Sequence, residues 1–311
     1  MFQPLCLKCR GSVKKGWPVE VFQQLINGLS LGSIYALIAL GYTMVYGIIQ
    51  LINFAHGDVL MVGAYVGWFS MTALHMNMFA ALATAMAACA VLGVVIERVA
   101  YKPLRNSTRI AALITAIGVS LFLEYVMMYF VGANPKAYPD LTGFMAGSFT
   151  IHGVIIKNIQ LVIIGISVLL MIILQLIVQR TRVGKAMRAV SQDADAARLM
   201  GINVDNTISV TFAIGSALAG AAGVMWGLYY VSINPLMGLM PGLKAFVAAV
   251  FGGIGLIPGA LLGAYAVGFI ETIAKGVGLS TYSDAVVFLV LILILIIKPA
   301  GLLGKNTKEK V

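Results

Sequence analysis

A chain of 311 residues that is 60% hydrophobic and only 10% charged is not a soluble domain, where about 45–50% apolar and about 25% charged residues are usual. Its 34 glycines and long apolar runs belong to an integral membrane protein. The net charge of +10 gathers beside those runs, so it reports topology and excludes nucleic-acid binding as its cause.

Residues 1–20 form a basic extension with Lys8, Arg10, Lys14 and Lys15. The apolar region after it is far too long for a signal peptide and lacks a small-residue cleavage site, so the chain is expected to stay anchored. Cys6 and Cys9 make a CxxC, but the one other cysteine, Cys89, leaves no second pair for zinc and no disulfide framework. Residues 21–311 read as one transmembrane domain. A spanning helix needs about 20 apolar residues. Runs at 22–41, 58–76, 77–97, 110–132, 158–178, 207–230, 243–273 (long and interrupted) and 284–298 give eight clear spans. Each is apolar all round, as lipid demands. The fold class is therefore an all-α polytopic membrane protein.

Basic residues cluster in the extension, at 98–109, at 180–188 and in the tail (Lys298, Lys305, Lys308, Lys310). The positive-inside rule puts all four on the cytoplasmic side, which requires an even number of crossings between each pair. Eight spans fail that test unless GYTMVYGIIQLINF (41–54) and the glycine- and proline-broken FGGIGLIPGALLG (251–263) each add a short crossing. The alternative is an N-terminus on the outside. Interrupted segments in matching places predict ten segments, with two broken helices in inverted-repeat halves and the solute path between them. Gly63-Ala64-Tyr65 and Gly263-Ala264-Tyr265 follow the two breaks as a faint echo.

Within the first break, Asn53, His56 and Asp58 are the candidate translocation path, because a charge inside a span costs about 2.5–3.5 kcal/mol and usually faces a cavity or a partner. If the break ends near a surface, Asp58 is an exposed cap. Glu124 and Glu271 raise the same question; Glu271 has Lys275 at i+4 as a partner. Lys244 is expected to snorkel to an interface. Ser216-x3-Gly220 and Ala219-x3-Gly223 should let helices approach closely.

The cytoplasmic stretch 180–206 holds a polar, alanine-rich island, RAVSQDADAARLMGINV (188–204). Val190, Ala194, Ala197 and Met200 recur at helical spacing and give one small apolar face, opposite Gln192, Asp195 and Arg198. Ser191 or Asp193 would cap the start and Gly201 the end. No GxxxxGK[ST], HExxH or GxSxG occurs, so no cofactor, metal or catalytic constellation is expected, and any ATP must be hydrolysed by a partner.

Asp195-Ala196-Ala197, three residues and Gly201 resemble the EAA-x3-G coupling loop of ABC importer permeases, with Asp in place of Glu and without the downstream I-x-L-P. A closer resemblance is to one branch, the permeases for branched-chain amino acids. It is carried by YALIALGYTMVYGIIQLINFAHGD (35–58), IERVAYKPLR (96–105), GINVD (201–205), NPLMGLMPGLKAF (234–246) and AAVFGGIGLIPGA (248–260), and runs from about 22 to 304. The resemblance implies a non-enzyme permease in a bacterial cytoplasmic (inner) membrane, translocating leucine, isoleucine and valine. Its implied partners are a second homologous permease, two ATP-binding subunits docking on the coupling loop, and a periplasmic or extracellular substrate-binding protein that sets much of the selectivity. Permeases for urea or short amides share much of the pattern. A reading of a different class, a gradient-driven carrier with Asp58, Glu124 or Glu271 as its coupling-ion site, has no use for a docking loop.

Overall fold

The first helix, α1 (Trp17–Ile49), passes straight through the point where the sequence predicts a break. Gly41 and Gly47 lie inside it without ending it. A helix-interior glycine costs only about 1 kcal/mol, whereas a chain leaving its helix in lipid must find new partners for every backbone group. The computed structural model describes residues 17–49, 51, 53–105, 107–139, 143–253, 255–298 and 301–304. The Cys6–Cys9 pair, the first 16 residues and the tail lysines beyond 304 lie outside them.

After α1 come α2 (His56–Thr72) and α3 (Met78–Ile96), which runs on through a π turn (Glu97–Tyr101) and a 3-10 turn (Lys102–Leu104). α4 (Arg109–Val131) and α5 (Asn158–Arg180) flank a segment holding β1 (Lys136–Ala137) and the hairpin of β2 (Ser148–Ile151) with β3 (Val154–Lys157). Two short helices follow, α6 (Arg182–Gln192) and α7 (Ala194–Leu199). The chain closes with α8 (Val204–Tyr230), β4 (Ser232–Ile233) paired to β1, α9 (Leu239–Gly252), α10 (Ile257–Gly276) and α11 (Ser283–Ile297). Seven helices among the described residues are long and apolar enough to cross a membrane. α2 and α9 have 17 and 14 residues. At 1.5 Å per residue α9 reaches about 21 Å, short of a bilayer core of about 30 Å. Among the described residues seven helices thus reach spanning length, the last only when the 3-10 turn Ser280–Tyr282 is counted with α11, and α2 and α9 fall short of it, which does not confirm the count of eight.

Chain direction defines two faces. Gln23 near the start of α1 exchanges hydrogen bonds with Ile155 of β3, 2.9 Å each way, so α1 begins on the hairpin face. Its other end lies with Gly255 and with α6, since Gly47, Ile48, Met187, Arg188 and Gly255 line one cleft. Arg105 bonds Asp205 just past α7 at 2.6 Å, and Leu302 N–H donates to Phe251 O at 2.8 Å. The segments 98–105, 181–203 and 301–304 therefore share one face, and α1 starts on the other. This corrects the even-crossing expectation for the N-terminal end. Residues 41–49 complete a helix already in progress and add no crossing.

α1–α4 and α8–α11 carry matching cross-contacts at an offset of 174 residues, as an inverted repeat would. Gly41 meets Gly215 where α1 crosses α8. Tyr35 of α1 donates to Glu271 of α10, and Ser209 of α8 donates to Glu97 beyond α3. These are the same bond in the two halves: 35 corresponds to 209 and 97 to 271. Gly63-Ala64-Tyr65 and Gly263-Ala264-Tyr265 fall in α2 and α10, which do not correspond, so that echo is accidental. The sequence trace of the repeat is Ile96-Glu97-x-Val99-Ala100 against Ile270-Glu271-x-Ile273-Ala274. Small residues draw α8 against its neighbours, as their spacing predicts. A side chain on Gly220 would strike Ala85 and Cys89, and one on Gly223 would strike the backbone of α2 at Leu60 and Ala64.

Candidate coupling loop and broken-helix junction

Each half contains a helix that starts inside the bundle. α2 begins beside Gly41, eight residues or about 12 Å from the end of α1. α9 begins against it: Gly57 packs on Gly238 and Gly242, and a Cβ on Gly242 would lie 2.9 Å from the Gly57 Cα. Only glycines allow two helix starts to touch in this way. Two helix N-termini bring two partial positive charges together, and Asp58 in the first turn of α2 supplies a carboxylate there.

Asn53, His56 and Asp58 are all buried at this junction, at 3%, 1% and 1% exposure, so the reading of Asp58 as an exposed cap is set aside. Asn53 accepts a hydrogen bond from Tyr101 Oη at 2.9 Å. His56 meets Tyr42 edge to face at 4.8 Å between ring centroids. Asp58 Oδ2 accepts from Ser120 of α4, while its Oδ1 faces Gly238 without a hydrogen-bond partner. Beside it lies a half-open cleft of about 290 Å³ lined by Phe54, Ile117, Ser120, Leu121, Glu124 and Leu239. Its walls are apolar and its polar end is Ser120 with Glu124. Among the described residues no lysine or arginine pairs with Asp58 or Glu124.

On the α6–α7 face the island folds as two helices in place of one. Thr181 caps α6 through Gly184 N–H (3.1 Å), and Asp193, extended at φ −156°, caps α7 by accepting from Asp195 and Ala196 N–H, both at 2.9 Å. Gly201 ends α7 at φ +81°. Its N–H bonds Arg198 O at 2.9 Å and Ile202 N–H bonds Ala197 O at 3.0 Å, a Schellman cap. Asp195 and Arg198 pair at 3.3 Å. The break at Asp193 shifts the helical phase, so the expected apolar face does not survive whole. Val190 and Ala197 are buried, but Met200 is 83% exposed and Leu199 89%. The surface offered outward is Asp195, Ala196, Leu199 and Met200.

Ion pairs hang this loop on the bundle. Asp205 takes Lys102 at 2.9 Å and Arg105 at 2.6 Å; Arg105 also pairs with Glu97, which is fully buried and accepts from Ser209 Oγ at 2.6 Å. The equivalent cluster in the other half joins Glu271 to Lys244 (3.0 Å), Lys275 (2.7 Å) and Tyr35 Oη (2.8 Å), and Lys244 to Asp284 (2.6 Å). Lys244 is 5% exposed and paired; it does not snorkel. The Glu271–Lys275 pair follows from sequence spacing. Lys244, Asp284, Tyr35, Ser209 and Tyr101 do not, because their partners lie far away in sequence. The repeated Ile-Glu-x-(Val/Ile)-Ala was the one local signal for them.

The family profile described as "Branched-chain amino acid transport system / permease component" matches residues 24–295. The chain belongs to this family. The permease is 46% identical to the high-affinity branched-chain amino acid transport system permease protein BraD of Pseudomonas aeruginosa, over 93% of its own length and 97% of that protein's. It is 44% identical to LivH of Escherichia coli K12, which carries the same description, over the same shares. The ribose import permease RbsC of that organism is 28% identical over 88% of the permease and 84% of RbsC. With seven long apolar helices among the described residues, the permease is a multi-pass protein of the bacterial inner membrane.

Proposed function

We propose that the permease is the translocation subunit of an ABC importer for branched-chain amino acids, joined to a second homologous permease, two ATP-binding subunits and an external binding protein. The observation that carries this is the α6–α7 loop. It is capped at both helix starts, closed by Gly201, tied to the bundle through Asp205, and offers Leu199 and Met200 to a partner. Asp195, Ala196, Ala197 and Gly201 form the seat for the ATP-binding subunit, with Ala197 acting from beneath as a buried spacer. Arginines and lysines at 98–105 and 180–188 put this face in the cytoplasm.

Asn53, His56 and Asp58 belong to the translocation path as the segment at the start of α2 that gives way. The neighbouring cleft, with apolar walls and a carboxyl at one end, matches a small aliphatic solute bearing an ammonium group. The permease has no nucleotide-binding motif of its own, so the energy comes from the partner ATPases. Urea and short amides are the poorer cargo for an apolar cleft.

The test is reconstitution of the five-subunit importer in liposomes. Leucine uptake should need ATP on the loop side and survive collapse of the proton gradient. Uptake by the permease alone, driven by a pH gradient, would establish instead a carrier using Asp58 and Glu124.

A further inference from the structure

The loop and the junction are joined by one five-residue run. The π turn has Glu97 at its first position and Tyr101 at its last. Glu97 is held from the loop side by Arg105 and Ser209, and Arg105 reaches Asp205, four residues beyond Gly201. Tyr101 is 1% exposed, its ring packed on Phe212 at 5.4 Å between centroids, and its hydroxyl donates to Asn53. Asn53 O accepts from His56 N–H at 3.1 Å, so Asn53 is part of the turn from which α2 starts. Asp205, Arg105, Glu97, Tyr101 and Asn53 thus form an unbroken line of contacts from the end of the loop to the broken helix.

A π turn holds one more residue per turn than an α-helix, is uncommon, and recurs at functional sites. Here it lies between two anchored ends. Rewinding it as α-helix would change the angle between Glu97 and Tyr101, and so move the Tyr101 contact with Asn53 relative to the Arg105 and Ser209 contacts of Glu97. We propose that this run is the mechanical link by which movement of the α6–α7 loop reaches the start of α2, with Arg105, Glu97 and Tyr101 as positioning residues. The proposal rests on the reading of the loop as the ATPase seat.

The test uses the whole importer in liposomes and reads leucine molecules moved per ATP hydrolysed. Tyr101→Phe removes only the hydroxyl on Asn53 and keeps the ring on Phe212. Binding-protein-stimulated hydrolysis should stay within twofold of wild type while leucine per ATP falls at least tenfold. A merely structural role would lower both together, along with assembly. Asn53→Ala strikes the path itself and should lower leucine per ATP on its own account, but adding Tyr101→Phe to it should lower that ratio no further, because one link can be cut only once. Arg105→Lys, which keeps the charge but not the fork spanning Glu97 and Asp205, should uncouple more mildly. Tyr101→Phe and Asn53→Ala complexes that assemble and keep the wild-type leucine-to-ATP ratio would overturn the link. A wild-type importer without ATP-dependent uptake would overturn the permease reading, and the link with it.

Discussion

Glu97 and Glu271 occupy equivalent places in the two halves, yet their surroundings differ. Each accepts a hydroxyl from the first helix of the other half and each belongs to a cluster of two acids and two cations. Around Glu97 the outer members are half exposed: the side chains of Lys102 and Asp205 are 50% and 44% accessible. Around Glu271 the outer members are nearly as exposed, Asp284 at 40% and Lys275 at 36%, but the central cation, Lys244, is more deeply buried than Arg105 and grips both acids. The second cluster ties α9, α10 and α11 together. The first continues through Asp205 into the loop. One repeated motif therefore serves as a lock in one half and as a handle in the other.

The largest test of this contrast is Lys244→Met. It removes the buried one of the two cations on Glu271 and leaves the half-buried Lys275, and removing one partner of a buried pair typically costs about 3–5 kcal/mol. Thermal unfolding in detergent should show a loss of that order, and adding Glu271→Gln should recover most of it. A cost as small as that of a surface pair would erase the distinction between lock and handle. Arg105→Gln should come next, at about 2–3 kcal/mol, because its side chain is only 15% accessible yet ends at the wet rim.

Gly201→Val follows. The site is open, with nothing within 4 Å of a Cβ, so the penalty is that of the backbone at φ +81°, about 1–2 kcal/mol. Capture of the ATP-binding subunits should fall while the bundle still inserts, and Gly201→Asn should keep most of that capture, since asparagine tolerates this conformation. Leu199→Asp should leave unfolding within about 0.5 kcal/mol of wild type and still abolish capture, because the residue faces outward. Ala197→Glu should disrupt the loop itself by burying a charge, visible as faster proteolysis at 193–201. Smallest of all, Lys102→Ala should cost about 1 kcal/mol or less.

Local chemistry was legible in the sequence and long-range pairing was not. Gly201 announces its cap because a left-handed stop after an alanine-rich turn has few alternatives, and the long spans announce themselves by being apolar all round. The end of α1 was misread because Gly41 and Gly47 look like breaks until it is known that Gly215 and Gly255 press against them. The spacing groups Met200 with Val190 and Ala197 on one apolar face because nothing in it tells that Asp193 interrupts the helix. The partnership of Tyr35 with Glu271 spans 236 residues, and no periodicity reaches that far.

The cross-half bonds also set an order of events during synthesis. Ser209 is made 112 residues after Glu97, so at about 5–20 residues per second the glutamate waits roughly 6–22 s for its hydroxyl. In the other half the order is reversed. Tyr35 and Lys244 are already in place when Glu271 arrives, so that acid enters a prepared pocket. What keeps Glu97 tolerable in the meantime is Arg105, only eight residues on and delivered within about a second. A nearby arginine thus does for the first half, while the chain is still growing, what the order of synthesis alone does for the second.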